Sequence, residues 1–307
     1  MNAETPIRRP EFQEVRACPL CNSLRDCWQL DAEALGAVPY DTMAFSIYRC
    51  AQCGIGITEP IPSENESHLL YEDRTSCDFQ GDDSAVASAL KRAIADRDIQ
   101  KFVFAVPTAQ NAPKMLDYAC GNGAFSLAMR RVFPRSSIWA TDYHVGRPPM
   151  FRDSDIQYSP YDNIGEYGPF DFILCRHVLE HTYGPTKFLQ EMVSLLGVGG
   201  ILMIEVPNVN APLRKVFGRH WDNYYVPYHP IHFSAQALHR AVTEAGLVVV
   251  RTGGCEMPKI GRSLRNILRC EYNIALFSVG LLLQPIQFLA RAATNEPTCL
   301  RLWARKP

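Results

Sequence analysis

Lys114-Met115-Leu116-Asp117-Tyr118-Ala119-Cys120-Gly121-Asn122-Gly123 is the stretch on which the reading of this chain turns. Lys114 to Tyr118 is a short apolar run with an acid near its end, followed by a glycine turn, the pattern of a buried strand. Glycine in such a turn lets the backbone approach a ligand where any side chain would block it. Phe125, Leu127, Met129 and Val132 then suit one face of a helix. A second strand, Ile138-Trp139-Ala140-Thr141, runs into Asp142-Tyr143-His144. Asp142 thus lies at about the separation at which a nucleotide-binding fold uses a carboxylate to hold ribose hydroxyls.

Working outward, further apolar runs occur at Phe170 to Cys175, Gly200 to Val206 and Leu247 to Val250, with helical stretches at Lys187 to Leu196 and Gln236 to Ala245 between them. Strands alternating with helices predict an α/β fold with right-handed crossovers and a mostly parallel, doubly wound sheet. Upstream, Ser84 to Phe104 has helical spacing, and Pro60, Pro62, Glu64, Glu66, Glu72 and Asp73 read as a linker. The expected organisation is a small zinc ribbon over 1–60, marked by its cysteine pairs, a linker and helical segment over 61–112, and the α/β domain over 113–307.

These residues resemble the class I S-adenosylmethionine-dependent methyltransferases, whose first motif is similar to Leu116 through Gly123 and whose second strand ends in an acid like Asp142. Phe170 through His181 resembles that family's fourth strand and the turn after it, and Gly197-Val198-Gly199-Gly200 the turn before its fifth. The resemblance implies a Rossmann-like, seven-stranded, mostly parallel sheet with helices on both faces, and S-adenosylmethionine as cofactor. By the same resemblance Asp117, Ala119, Gly121 and Gly123 serve the methionine end, Asp142 the ribose, Asp162 the adenine, and His177 joins the cofactor side. The family usually carries glycine where this chain has Ala119. A nicotinamide dehydrogenase uses a similar turn, but its third glycine would fall at Ser126.

Two Cys-x-x-Cys pairs, Cys18/Cys21 and Cys50/Cys53, match a tetrahedral zinc site, each two-residue spacer letting a tight turn aim both thiolates at one ion. A site with four protein ligands is closed and cannot activate water, so the expected ion is structural. Cys27, Cys77, Cys120, Cys175, Cys255, Cys270 and Cys299 read as ordinary reduced thiols. The segments Phe217 to Trp221 and Pro227 to Ser234 resemble a branch of the family with an amino-terminal zinc ribbon, which includes sugar C-methyltransferases and glycan-modifying enzymes.

His177-x-x-Glu180-His181 also matches the inverted zinc-protease signature, but that chemistry needs a long helix and these residues follow a strand, where open α/β sheets bind ligands. In the methyltransferase reading Glu180 and His181 are the acid–base candidates; the alternative is that they only brace a substrate loop. His229 and His232, among Trp221, Tyr224, Tyr225 and Tyr228, are candidates for a substrate wall or members of a buried aromatic cluster.

The chain has 307 residues, 47% hydrophobic and 21% charged, enough for a sizeable core. Thirty-one Lys plus Arg against 32 Asp plus Glu leave a net charge of -1, which favours a small-molecule substrate, sugar-linked by the resemblance, over nucleic acid. Arg8, Arg9, Arg16 and Arg25 keep an RNA methyltransferase as the competing reading, and a degenerate, binding-only domain as another. Eleven cysteines and the polar Met1 to Glu14 stretch predict a reducing, cytoplasmic setting. Tyr272 to Ala290 carries no charge; it reads as a helical pair, buried or at a membrane surface, inside an insertion over 258–292.

Overall fold

Alternation of apolar strand and amphipathic helix from Lys114 onward builds one seven-stranded sheet in this computed structural model, which describes residues 9–72, 85–102, 112–143 and 146–307. Arg8, Asp73, Cys77, His144 and the outer residues Ser84 and Phe104 of the expected helix lie outside the described residues.

The amino-terminal part holds β1 (Phe12–Gln13), β2 (Trp28–Leu35), β3 (Ala44–Cys50), β4 (Gly56–Glu59), β5 (Ile61–Pro62) and the short helix α1 (Leu69–Glu72), followed by α2 (Ala85–Gln100). The α/β layer runs β6 (Lys114–Tyr118), α3 (Ala124–Val132), β7 (Ser137–Thr141), β8 (Gln157–Tyr158), β9 (Phe170–Arg176), α4 (Pro185–Leu195) and β10 (Leu196–Pro207). It continues through α5 (Arg214–Phe217), β11 (Ile231–His232), α6 (Ala235–Glu244) and β12 (Val248–Cys255). Three helices, α7 (Ile260–Leu268), α8 (Ile274–Leu282) and α9 (Gln284–Thr294), precede β13 (Cys299–Arg305).

The sheet order is β12-β13-β10-β9-β6-β7-β8, with only β13 antiparallel to its neighbours. β6, β9 and most of β10 are buried along nearly their whole length because central parallel strands are covered on both faces. The order reverses between β6 and β9, so the two strands at the sheet's switch point end side by side, Tyr118 opposite Cys175. Ligands of open α/β sheets bind at that crevice.

Residues 61–112, expected as a linker and helical segment, are tied to the parts on either side: β5 pairs with β1, and Asp96 and Asp98 of α2 bind Arg131 of α3 and Arg301 of β13, packing α2 onto the α/β layer. The ribbon is not self-contained either. Its sheet runs β11-β4-β3-β2, and β11, which completes it, comes from about 170 positions later in the chain, with Ile231 opposite Ile57 and His232 opposite Gly56. A three-stranded piece this small leaves an edge and an apolar face that only further packing covers. Cys18, Trp28, Cys50 and Ile55 accordingly share one buried cluster with Phe233, Leu238 and Val242.

Candidate active site

The glycine turn is built from positive φ. Ala119, Gly121 and Gly123 have φ of 59°, 55° and 86°. Glycine is the natural occupant of such backbone, which explains the family's preference at position 119; alanine there carries about 1–2 kcal/mol of strain. At Gly123 a Cβ would lie 2.3 Å from the Phe151 ring. At Gly121 a Cβ would meet no protein atom within 4 Å, so the turn opens onto space. Asp142, half-buried at the end of β7, accepts a hydrogen bond from the Gly121 amide at 2.7 Å. A bare backbone turn beside a carboxylate suits a ligand carrying hydroxyls and a small polar group, which fits the donor set expected around S-adenosylmethionine.

Asp117 is placed differently from a direct ligand. It is 4% exposed and accepts the Ser126 hydroxyl at 2.5 Å, which ties the end of β6 to α3. Burial pushes its carboxyl up to about 6, against the lowering pull of Ser126 and Arg176. Asp162 is exposed in the first turn of the 3-10 helix Tyr161–Tyr167, just after β8, on the same edge of the sheet. Tyr143 stacks on Tyr161 at 4.5 Å, forming an aromatic face beside Asp142 that the sequence reading passed over; two tyrosines after successive strand ends were its only signal.

Across the switch point, His177 also takes a positive φ of 54°. Its Nδ1 donates to Glu180 Oε1 at 3.0 Å and its Nε2 lies 3.1 Å from Glu205 Oε1. Burial opposes its charge, but the two carboxylates prevail and raise it to about 9, so the ring is an imidazolium. Glu205 is fully buried in β10 and is also bound by Arg176 and Arg301; these cations hold it well below the usual carboxylate range despite burial. This ionic core fixes the carboxyl end of β9. Its sequence signal was the single acid inside the apolar run Ile201 to Val206.

His177 and His181 do not converge as the protease signature requires, since Leu179–His181 is one 3-10 turn rather than a long helix. Instead Glu180, His181 and His229 bring donor atoms within 4.8 Å of one another, and the rings of His181 and His229 lie 4.7 Å apart. His181 Nδ1 lies 2.8 Å from the Tyr228 carbonyl and His229 Nδ1 lies 3.2 Å from that of Asn223. A carbonyl only accepts, so both protons sit on Nδ1 and Nε2 is the basic nitrogen of each ring. Burial drives His229 well below its ordinary pKa, keeping it neutral. Glu180 is 1% exposed and its Oε2 is buried with no protein hydrogen-bond partner. Tyr71, Tyr225 and Tyr228 flank the histidines, Tyr225 stacking on Tyr228 at 5.0 Å.

His232 separates from this group. Its Nε2 meets the Thr58 hydroxyl at 2.8 Å inside the ribbon sheet, and burial lowers it to about 3. It is a buried, hydrogen-bonded histidine of β11, the second of the two roles the sequence leaves open for it.

In the ribbon, Cys18 Sγ lies 3.5 Å from Cys53 Sγ and Cys21 Sγ 3.6 Å from Cys50 Sγ, with all four within 4.8 Å. Sulfurs bound at roughly 2.3 Å around a tetrahedral zinc lie about 3.8 Å apart, so the donor set fits that ion. Gly54, at φ 75°, closes the second knuckle with its amide donating to the Cys50 carbonyl at 2.8 Å.

A model of the methyltransferase domain matches residues 87–252, more than half of the chain. The chain belongs to the methyltransferase-domain family, and its fold is that of an S-adenosylmethionine-dependent methyltransferase. The ubiquinone biosynthesis O-methyltransferase of Caulobacter vibrioides is 32% identical over 102 residues, 31% of this chain and 40% of that protein. Its counterpart in Caulobacter sp. strain K31 is 29% identical over 103 residues, 31% of this chain and 41% of that one. The chain therefore matches only about two fifths of the length of these curated relatives. Among solved structures, the 1,6-didemethyltoxoflavin-N1-methyltransferase of Burkholderia thailandensis is 14% identical, with 90% of this chain and 99% of that chain covered and a TM-score of 0.49. A methyltransferase from Archaeoglobus fulgidus is 17% identical, with 78% and 99% covered and a TM-score of 0.46.

Proposed function

We propose that the protein methylates a hydroxyl or acidic carbon of a small acceptor, a nucleotide-linked or lipid-linked sugar, with the cluster of Glu180, His181 and His229 handling the acceptor's proton. The observation that carries this reading is the cluster itself: a neutral histidine, a second histidine with Nε2 basic, and a buried carboxylate with an unsatisfied oxygen, all at the switch point. S-adenosylmethionine, when bound, supplies an electrophilic methyl on a sulfonium. Gly121, Gly123 and Asp142 would hold it, with Asp117 bracing the turn and the Tyr143/Tyr161 face beside the base.

The protein's own work is then orientation, exclusion of water and removal of one proton. Orientation can supply most of the rate of an in-line displacement. His181 takes the acceptor proton on Nε2, while the Tyr228 carbonyl holds its Nδ1–H and so fixes the ring. The accessible tyrosine faces at Tyr71 and Tyr225 suit the apolar face of a pyranose ring, with Tyr228, buried and donating to the Val38 carbonyl at 3.1 Å, packed behind them. The four ribbon cysteines would hold a structural zinc, which would contribute folding energy on the order of 10 kcal/mol.

The test is incubation with S-adenosylmethionine and a panel of nucleotide-linked hexoses, lipid-linked sugars and hydroxylated aromatic rings, read by mass spectrometry for addition of one methyl. Methylation of a sugar, lowered about 10²–10⁴-fold by His181→Ala with cofactor binding intact, is the expected result. Turnover of the aromatic acceptors alone would replace the sugar with a phenolic substrate, and full activity of the variant would remove the histidine from the chemistry.

A further inference from the structure

The helices α7, α8 and α9 between β12 and β13 present an apolar surface that the fold itself does not cover. α8 is apolar on every side, yet only Leu276 and Gly280 of its nine residues are buried. A helix apolar all round is normally enclosed by protein or by lipid. Here Ile274, Leu281 and Leu282 are 77%, 44% and 78% exposed, and on α9 Ile286, Phe288 and Leu289 are 50%, 53% and 70% exposed. Isolated exposed apolar residues need no explanation, but a contiguous set of this size marks a contact surface.

The surface is held out deliberately by its base. α7 and α8 cross at Gly261 and Gly280, where a Cβ on Gly261 would lie 2.3 Å from the Leu276 carbonyl oxygen. Asn273 caps α8 by accepting the Leu276 amide at 3.1 Å, and Gln287 of α9 is anchored to Glu256 and Thr298. Ile260, Leu283 and Ala290 pack into the cluster that contains Trp221, Tyr224 and Tyr228, so the hairpin stands on the aromatic side of the site.

Its charge distribution selects the occupant. The chain as a whole carries -1, but Lys259 to Asn295 holds Lys259, Arg262, Arg265, Arg269 and Arg291 against the single acid Glu271; Lys259 pairs with Asp222 and Arg291 lies 3.7 Å from Glu256, so the positive charge of this face rests on Arg262, Arg265 and Arg269. Three of the arginines lie on or just beyond α7, at the rim of the apolar face, and Arg262 sits 5.7 Å from the centre of the Tyr272 ring. An apolar face with a basic rim and an aromatic at the boundary is complementary to an anionic lipid headgroup layer over hydrocarbon. Among the described residues no single helix is long and apolar enough to cross a membrane, and α8 and α9 meet at a 42° bend. At 1.5 Å per residue each helix alone reaches about half of the ~30 Å hydrocarbon thickness, and only as a bent pair do the two have the length and composition to enter it deeply.

We propose that the α7–α9 face docks the protein on an anionic bilayer surface, α8 and α9 lying shallowly in the headgroup boundary with the α7 arginines on the phosphates. This docking is independent of the acceptor's identity. The experiment is flotation of the full chain with vesicles of phosphatidylcholine alone and of phosphatidylcholine with about 30 mol% phosphatidylglycerol. The expected result is flotation with the anionic vesicles, weakened by salt, and reduced about a hundredfold in partition by Leu282→Glu with Leu289→Glu, each loss about tenfold. Arg265→Glu with Arg269→Glu also weakens it, while Val198→Glu, at an exposed apolar position beside the carboxyl end of β13, the end away from α9, leaves it unchanged. Thermal unfolding and S-adenosylmethionine binding of each variant report on folding. Failure of the folded chain to float with either vesicle overturns the proposal. So does a dimer on light scattering that the leucine pair dissolves, which would assign the face to a second copy.

Discussion

The Thr58 hydroxyl donates to the His229 carbonyl at 2.7 Å and meets His232 Nε2 at 2.8 Å, so one ribbon side chain holds both ends of the His229-Pro230-Ile231-His232 segment. The ribbon is thereby part of the wall that presents His229 to Glu180 and His181. Thr58→Val leaves buried partners unsatisfied and is expected to cost about 1–3 kcal/mol in urea unfolding. It should also lower kcat while the affinity for S-adenosylmethionine stays the same. Unchanged kcat in the folded variant would show that the ribbon does not position His229.

Because β11 completes the ribbon sheet and one buried cluster spans both parts, loss of the proposed zinc should propagate. Cys50→Ser, or stripping with a strong chelator, is expected to lower the melting temperature of the whole chain in a single calorimetric transition. A separate low-temperature transition that leaves the α/β part intact would mean the two parts unfold independently.

Gly121 and Gly123 separate binding from folding. Alanine at Gly123 collides with Phe151, and the variant should be strongly destabilised. Alanine at Gly121 projects into space and carries only the φ penalty of about 1 kcal/mol, yet should weaken S-adenosylmethionine binding by calorimetry. Equal binding by the Gly121→Ala variant would place the cofactor elsewhere.

Ala119→Gly removes left-handed strain at φ 59° and adds freedom to the unfolded chain. The strain is the larger of the two, so the variant should gain about 0.5–1 kcal/mol in urea unfolding and keep its cofactor affinity. A loss of stability would show that the methyl of Ala119 packs more than it strains.

His177 is raised to about 9 in the fold against an ordinary 6.5. A group raised on folding stabilises fully below its unfolded pKa and loses that contribution as pH rises through its folded one. Between pH 6.5 and 9 the protein should therefore lose about 2–3 kcal/mol, a slope that His177→Gln flattens. Parallel slopes for the two proteins would remove the imidazolium between Glu180 and Glu205.

The sequence by itself carried what depends on a few neighbouring residues. Two knuckle spacings aimed four cysteines at one point, the Gly121/Gly123 turn had to be left-handed and bare, and apolar runs alternating with helices ordered a parallel sheet with Asp142 at a strand end. Each follows from backbone geometry within one turn or one strand, so it is legible without the rest of the molecule. Tertiary structure decided the convergence of distant pieces. Register between β4 and β11 turned His232 into the ribbon sheet and left His229 beside His181. Packing of β9 on β10 put Glu205 under His177, where shared burial makes the ion pairs strong. α2, legible as a helix from its spacing, is held on the α/β layer by Asp98 and Arg301, 203 positions apart. Spacing along the chain carries no information about such pairs, because their separation is set by sheet order and side-chain packing.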